Sequence, residues 1–438
     1  MSISEREEAV IGEPVTGWAA VRPLLLRLHF YAGVFAGPFL IIAALTGIAY
    51  VYTPQLEQAI YDRELHVPAA PGALPLDRQA ELARAVVPDG TMTAVRPAPT
   101  ATDTTQVVFD RPGLAPSYHH TVFVDPHTGD IRGALETYGS GQALPVRAWL
   151  DTLHRNLHLG DFGRLYSELA ASWLWVVVLA GLALWLGRRR RARKAAGRGR
   201  LLSWHGTVGL WAAAGLLFLS ATGLTWSSHA GSTISDLRSG LDWTTPSVSA
   251  TVPPAAGADV GPQAVREATA RAGLTDPVEI KLPTKAGKAY VVQQIQRSWP
   301  EKQDSMAVDP ATGRVTDTLR FDDYPLAAKL SRWGIDAHMG LLFGLANQIA
   351  LTVLAAGLIF LVCWGYRMWW HRRPTRGSTR FGRPPLRGAW RRVPGRVLAP
   401  VLVATAAIGY FLPVLGVSLL GFVVLDVVLG LRNREVAR

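Results

Sequence analysis

Apolar and polar residues are segregated along this chain in long blocks. Four apolar stretches, near 28–52, 169–187, 201–226 and 341–370, are each long enough for a helix of about 20 residues to cross a hydrocarbon core. A fifth region, 397–430, is apolar for over thirty residues and is interrupted by Pro413. It is too long for one span and predicts two shorter helices, six spans in all. The first run begins too late and runs too long for the h-region of a signal peptide, so it is expected to remain as a span.

The apolar runs repeat. LeuHisPheTyrAlaGly (28–33) opens the first, and SerTrpHisGlyThrValGly opens the third, with His205 standing 176 residues after His29. The match continues in Gly33 with Gly209 and in Thr46–Gly47 with Thr222–Gly223. The second and fourth runs match at an offset of 180. LeuHisLeuGly (157–160) aligns with AlaHisMetGly (337–340), and Pro145 with Pro325.

The polar blocks repeat as well. Helical spacing over 77–87 and 262–273 is followed by four short strand-like segments in each block. These lie near 91–96, 105–110, 119–125 and 130–135, then near 277–282, 289–295, 304–309 and 314–318. β-branched and aromatic residues bounded by Pro, Gly and Asp predict strands. ValAspProHisThrGlyAsp (124–130) and ValAspProAlaThrGlyArg (308–314) predict tight turns, with Pro setting φ and Gly taking a positive φ. A repeat of span, α+β domain, span and basic end, with both halves entering and leaving the membrane alike, makes parallel repeats about an axis along the membrane normal.

The expected fold is therefore an α-helical integral membrane protein. A pseudo-two-fold four-helix bundle carries a C-terminal helical hairpin and two small extracytoplasmic α+β domains. The predicted boundaries are a cytoplasmic tail over 1–23, a first span over 24–53 and a first α+β domain over 54–146. An outer helix with the second span follows over 147–187, then a basic loop over 188–200 and a third span over 201–227. The second α+β domain takes 228–325, and an outer helix with the fourth span takes 326–371. A basic linker (372–396), the hairpin (397–430) and a tail (431–438) complete the chain.

Charge gives the expected orientation. Residues 187–200 hold eight basic residues and no acid, and 367–396 hold ten Arg and no acid. In the loops 53–157 and 227–335, acids equal or exceed bases. The positive-inside rule puts the short basic loops and both termini in the cytoplasm. The basic runs flank spans, so they are assigned to topology and not to nucleic acid. The formal net charge of +12 is concentrated in these runs. One cysteine, Cys363, excludes an intrachain disulfide, and no CysXxxXxxCysHis is present for covalent haem attachment. No glycine-rich nucleotide fingerprint is found, so an electron would have to come from a separate donor, a cytoplasmic flavoprotein or a quinol.

His29 and His205 stand at the inner ends of spans one and three, and His158 and His338 at the outer ends of spans two and four. A two-fold axis would bring each pair to one centre from two sides. Neutral imidazole is an axial haem ligand, and helix bundles house cofactors in their cores. Gly33, Gly37, Gly160, Gly206 and Gly209 offer close approach to a flat macrocycle. A bare zinc or copper site would recruit further ligands that the spans do not offer. His154, one turn before His158, is an alternative to it. The competing reading for each ring is an interfacial or capping residue. His119, His120 and His127 lack counterparts in the second repeat and read as surface residues. His229 and His371 lack repeat partners, and His66 carries no signal. Trp204 and Trp211 flank His205 and read as belt residues or as packing for a macrocycle.

These LeuHis…ThrGly spans, HisXxxGly spans and ValAspProXxxThrGly turns resemble the PepSY-associated transmembrane proteins, a bacterial membrane family with iron-regulated members, over roughly 24–373. The resemblance implies two PepSY-like domains outside the plasma (inner) membrane. It also implies two non-covalent haem b groups, with His29, His205, His158 and His338 as axial ligands to iron. The implied activity is reduction of a ferric chelate, above all a ferric siderophore, by electrons carried across the lipid bilayer. The alternative is a membrane-anchored PepSY module that binds or regulates a peptidase or peptide without redox chemistry.

Overall fold

The computed structural model describes residues 17–188, 198–254, 259–370 and 393–435. Residues 189–197 of the basic loop, most of the 372–396 linker, His371 and much of both tails lie outside the described residues. The chain divides into two units. One is drawn from Met1–Ile48, His154–Gly240 and Ala350–Arg438, the other from Ala49–Leu153 and Leu241–Ile349.

In chain order the helices are α1 (Trp18–Val51), α2 (Thr53–Ile60), α3 (Asp62–Leu65) and α4 (Leu76–Val86), followed after four strands by α5 (Pro145–Asn156), α6 (Gly160–Arg188), α7 (Arg198–Thr225), α8 (Ala230–Gly240) and α9 (Gly261–Arg271). After four more strands come α10 (Leu326–His338), α11 (Gly344–Trp370), α12 (Gly395–Phe411) and α13 (Pro413–Glu435). Among the described residues four helices, α1, α6, α7 and α11, are long and apolar enough to cross a membrane. α12 and the apolar part of α13, Pro413–Leu429, are shorter. Pro413 starts the second of these helices, where its missing N–H costs nothing.

All four long helices and α13 contribute to one apolar core. Ala32, Ala36, Leu40 and Ala44 of α1 recur every fourth residue and meet Trp173 and Leu174 of α6, Ala212 and Leu216 of α7, Leu358 and Leu361 of α11 and Leu415 of α13. Small residues on this seam let backbones approach. At Gly37 a Cβ would stand 2.8 Å from Tyr366 Oη, and that hydroxyl donates to the Val34 carbonyl at 2.7 Å.

The other unit is built on one antiparallel sheet of eight strands, ordered β4-β3-β2-β1-β5-β6-β7-β8. The strands are β1 (Thr91–Arg96), β2 (Thr105–Asp110), β3 (Tyr118–Val124), β4 (Ile131–Tyr138), β5 (Val278–Lys281), β6 (Tyr290–Gln294), β7 (Ser305–Val308) and β8 (Val315–Leu319). They fall where the sequence places strands. The two α+β repeats are joined edge to edge, because β1 pairs with β5 through Ala94↔Lys281 and Val95↔Ile280. One face of the sheet buries Val95, Val107, Phe109, Ile280, Val292 and Met306 with residues of α4 and α9.

Alternation along the strands puts the neighbours of these residues on the opposite face. Arg96 and Glu279 meet there across the seam, with an ion-pair separation of 2.6 Å and side chains only 11% and 7% exposed. The two AspPro turns have the same construction. Asp125 Oδ1 accepts the His127 N–H at 2.8 Å and Asp309 Oδ1 accepts the Ala311 N–H at 3.0 Å. Gly129 and Gly313 take φ of 82° and 66°.

Candidate functional site

His29 lies on α1 with its ring against α6. Its Nδ1 is 3.0 Å from the Val177 carbonyl. A carbonyl only accepts, so Nδ1 carries the proton and Nε2 keeps a lone pair. Gly181, one turn beyond Val177, gives the ring its space: a Cβ there would stand 3.0 Å from His29 Cε1. His205 enters from α7. The ring centres of His29 and His205 are 6.1 Å apart at an interplanar angle of 76°. His205 Nδ1 is buried and makes no hydrogen bond of ordinary geometry. One turn from His29, Gly33 faces open space, with no atom within 4 Å of a Cβ built there.

The separation of the ring centres matches that of two imidazoles on one metal ion. Imidazole nitrogens each about 2.0–2.1 Å from a shared ion place the ring centres about 6 Å apart. Among the described residues no group of three or more His, Cys, Asp or Glu could hold a metal ion. A tetrapyrrole brings its other donors with it and asks the protein for no more than two ligands. The hydrogen bond on the far nitrogen of His29 is the kind of outer contact that fixes a ligating ring.

His154 and His158 have different surroundings. His154, on α5, is packed in the helical unit. Thr46 Oγ1 donates to the Ile42 carbonyl at 2.8 Å and lies 2.9 Å from His154 Nδ1. The hydroxyl proton is thus committed, so His154 Nδ1–H donates to Thr46 and Nε2 is left bare. Gly47 accommodates the ring, with a built Cβ 3.3 Å from Cε1. Burial lowers the pKa of His154 to about 4, so the ring is neutral. His158 is exposed in the α5–α6 loop, at a left-handed φ of 57°.

The helices themselves explain the ambiguity. Pro145 and Pro325 lead into α5 and α10 at an offset of 180, but α6 and α11 begin at Gly160 and Gly344, an offset of 184. At the second offset His338, the last residue of α10, corresponds to His154. The four extra residues amount to about one helical turn.

The remaining candidates have local roles. His229 Nδ1 is 3.3 Å from Glu168 Oε2. Glu168, buried within the span α6, also accepts the backbone N–H groups of His229 and Ala230 and so caps α8. His119 pairs with Asp110 at 2.7 Å. His127 faces the Gly72 and Ala101 carbonyls with its two ring nitrogens. Both must donate, and these carbonyls, Ala101 first, raise its pKa. Trp204 and Trp211 face outward, 54% and 82% exposed. Val177, Gly181 and Thr46 were not singled out as site residues by sequence. Only the ThrGly pair repeated at 222–223 offered a signal.

In the sheet unit, Glu301 and Asp336 are buried carboxyls held by Arg332 and Arg297. Burial first, and the Asp336 charge after it, raise the Glu301 pKa to about 7 against the opposing pull of Arg332. The folded chain keeps this proton up to about 7, whereas the unfolded chain loses it near 4.5. The folded state therefore binds more protons in that window, and stability falls as pH rises through it. Glu301→Gln is expected to flatten this part of the pH profile of thermal unfolding. An unchanged slope between pH 5 and 7 would contradict the assignment.

Fold and site together define a helical membrane protein with an antiparallel sheet unit and histidines packed among its apolar helices. The chain belongs to the family described as the PepSY-associated TM region, whose model matches residues 26–372. A comparison with curated proteins gives no match.

Proposed function

We propose that this chain is a haem b oxidoreductase of the bacterial plasma membrane, carrying electrons outward to a ferric chelate, above all a ferric siderophore. The observation that supports this most is the His29–His205 pair, two rings 6.1 Å apart with no third protein ligand beside them among the described residues. Family membership supports the membrane setting. The full reading is a pseudo-two-fold four-helix bundle with a C-terminal hairpin, both termini cytoplasmic and the PepSY-like repeats outside.

His29 and His205 would hold the inner haem. On the sequence repeat alone, the second haem falls to His338 and to one of His154 and His158. The bare, neutral Nε2 of His154 favours His154. Bound haem supplies one-electron chemistry through its iron. The residues of this chain orient the ligand rings through Val177 and Thr46, exclude water with the apolar core and leave room at Gly33, Gly47 and Gly181. No general acid or nucleophile is required, and the donor is a separate flavoprotein or quinol.

The purified protein is expected to show a reduced-minus-oxidised spectrum of bis-histidine haem b, at two haems per chain. A colourless preparation from haem-replete cells would sink this reading and leave the membrane-anchored binding module.

A further inference from the structure

The C-terminal helix α13 lies beyond the family-matched stretch, yet it grips the two helices that frame His29. Its contacts recur every fourth residue, on one face. Ser418 Oγ accepts the Trp173 indole N–H at 2.9 Å. The Phe422 ring meets Phe35 at 4.9 Å and Trp173 at 5.7 Å, both edge to face. Asp426 forms an ion pair with Arg27 of α1. Leu415, one turn earlier on roughly this face, is 3% exposed, while Val417, Leu420, Val424 and Val427 on other faces are more than half exposed.

A charge inside an apolar helix persists when it is paired. Asp426 lies in the apolar part of α13 and Arg27 within the span of α1. The Arg27 guanidinium also lies 5.1 Å from the centre of the Tyr31 ring.

These contacts lead to His29 by two routes. On α6, Trp173, Val177 and Gly181 follow one another at four-residue spacing. α13 holds the first, the second accepts the His29 Nδ1–H, and the third lies against the ring. On α1, Arg27 and Phe35 contact α13, and His29 stands two residues after Arg27 on another side of the helix. Rotation of either helix would therefore change the bearing of His29 on Val177.

We propose that α13 is a brace that sets the rotation of α1 and α6, with Arg27 and Asp426 as positioning residues for His29. The brace itself follows from contacts between helices. Only its spectroscopic consequence rests on the haem reading.

The test uses the full chain with Cys363→Ser and spin labels at Ile42→Cys on α1 and Leu179→Cys on α6. Asp426→Asn is compared with the exchanged pair Arg27→Asp/Asp426→Arg. The brace predicts a narrow distance distribution in the parent, a broadened one in Asp426→Asn and a narrow one again in the exchanged pair. In haem-loaded protein, the low-spin electron-resonance signal assigned to the His29 centre should shift in Asp426→Asn and return in the exchanged pair. Unchanged distances in Asp426→Asn overturn the brace whether or not haem is bound. Broadened distances with an unshifted signal overturn the positioning role. A colourless parent overturns the haem reading, and the distances still decide the brace.

Discussion

Arg96→Ala is expected to destabilise the sheet unit more than any other single polar substitution there. The seam between the two repeats rests on few backbone pairs, and Arg96 and Glu279 close it from the face opposite the apolar core. Arg96 also donates to the Ser140 carbonyl at 2.7 Å, tying down the segment that leads into α5. Removing it leaves Glu279 buried, with Lys281 Nζ at 3.7 Å as its nearest remaining cation. Removing one partner of a buried pair costs about 3–5 kcal/mol. The half-exposed Lys281 places the expected value at the lower end. At 1.4 kcal/mol per factor of ten, this is about a hundredfold rise in the opening equilibrium of the seam. Hydrogen exchange of the full chain should report it at the β1 and β5 amides. The double variant Arg96→Met/Glu279→Leu, which buries no charge, should recover most of the loss. Equal protection of the seam in Arg96→Ala and the parent would show that the pair contributes little.

The seam also marks where legibility in the sequence ends. The strands were visible because β-branched and aromatic residues stand between Pro- and Gly-bearing turns, and the two AspPro turns announce themselves by spelling. Nothing in ThrMetThrAlaValArg says that its second edge pairs with a distant strand, Val95 with Ile280. Arg96 and Glu279 look like two surface charges until the pairing is known. The long helices were legible from length and apolarity alone.

The choice between His154 and His158 was not legible, because about one added turn leaves the apolar pattern of α10 in phase. Gly181 was hidden among 42 glycines, since only the course of α6 past His29 singles it out. Asp426 is the lone acid in the apolar part of its helix, Pro413–Leu429, but its partner lies 399 positions away at the start of the first span.

On the proposed ligation, His29→Ala is expected to lower the haem content from two per chain to one, and His205→Ala to do the same, because each would remove half of one axial pair. The sharper test leaves every ligand in place. In Gly181→Val, even the Cβ would stand 3.0 Å from His29 Cε1 and 3.5 Å from Nδ1. The added methyl groups crowd the ring away from the Val177 carbonyl, and the same haem should be lost or its spectrum altered. His154→Ala is expected to remove the other haem, whereas His158→Ala, at an exposed loop position, should retain both. The two single losses should add, since the sites draw on different rings. His29→Gly supplied with free imidazole should regain the lost absorbance, which distinguishes a missing ligand from a collapsed fold. Haem extraction with quantitation, together with low-temperature reduced spectra, checks all of these. Full haem content in both His29→Ala and His205→Ala would show that the pair is a packing contact and that the ligands lie elsewhere.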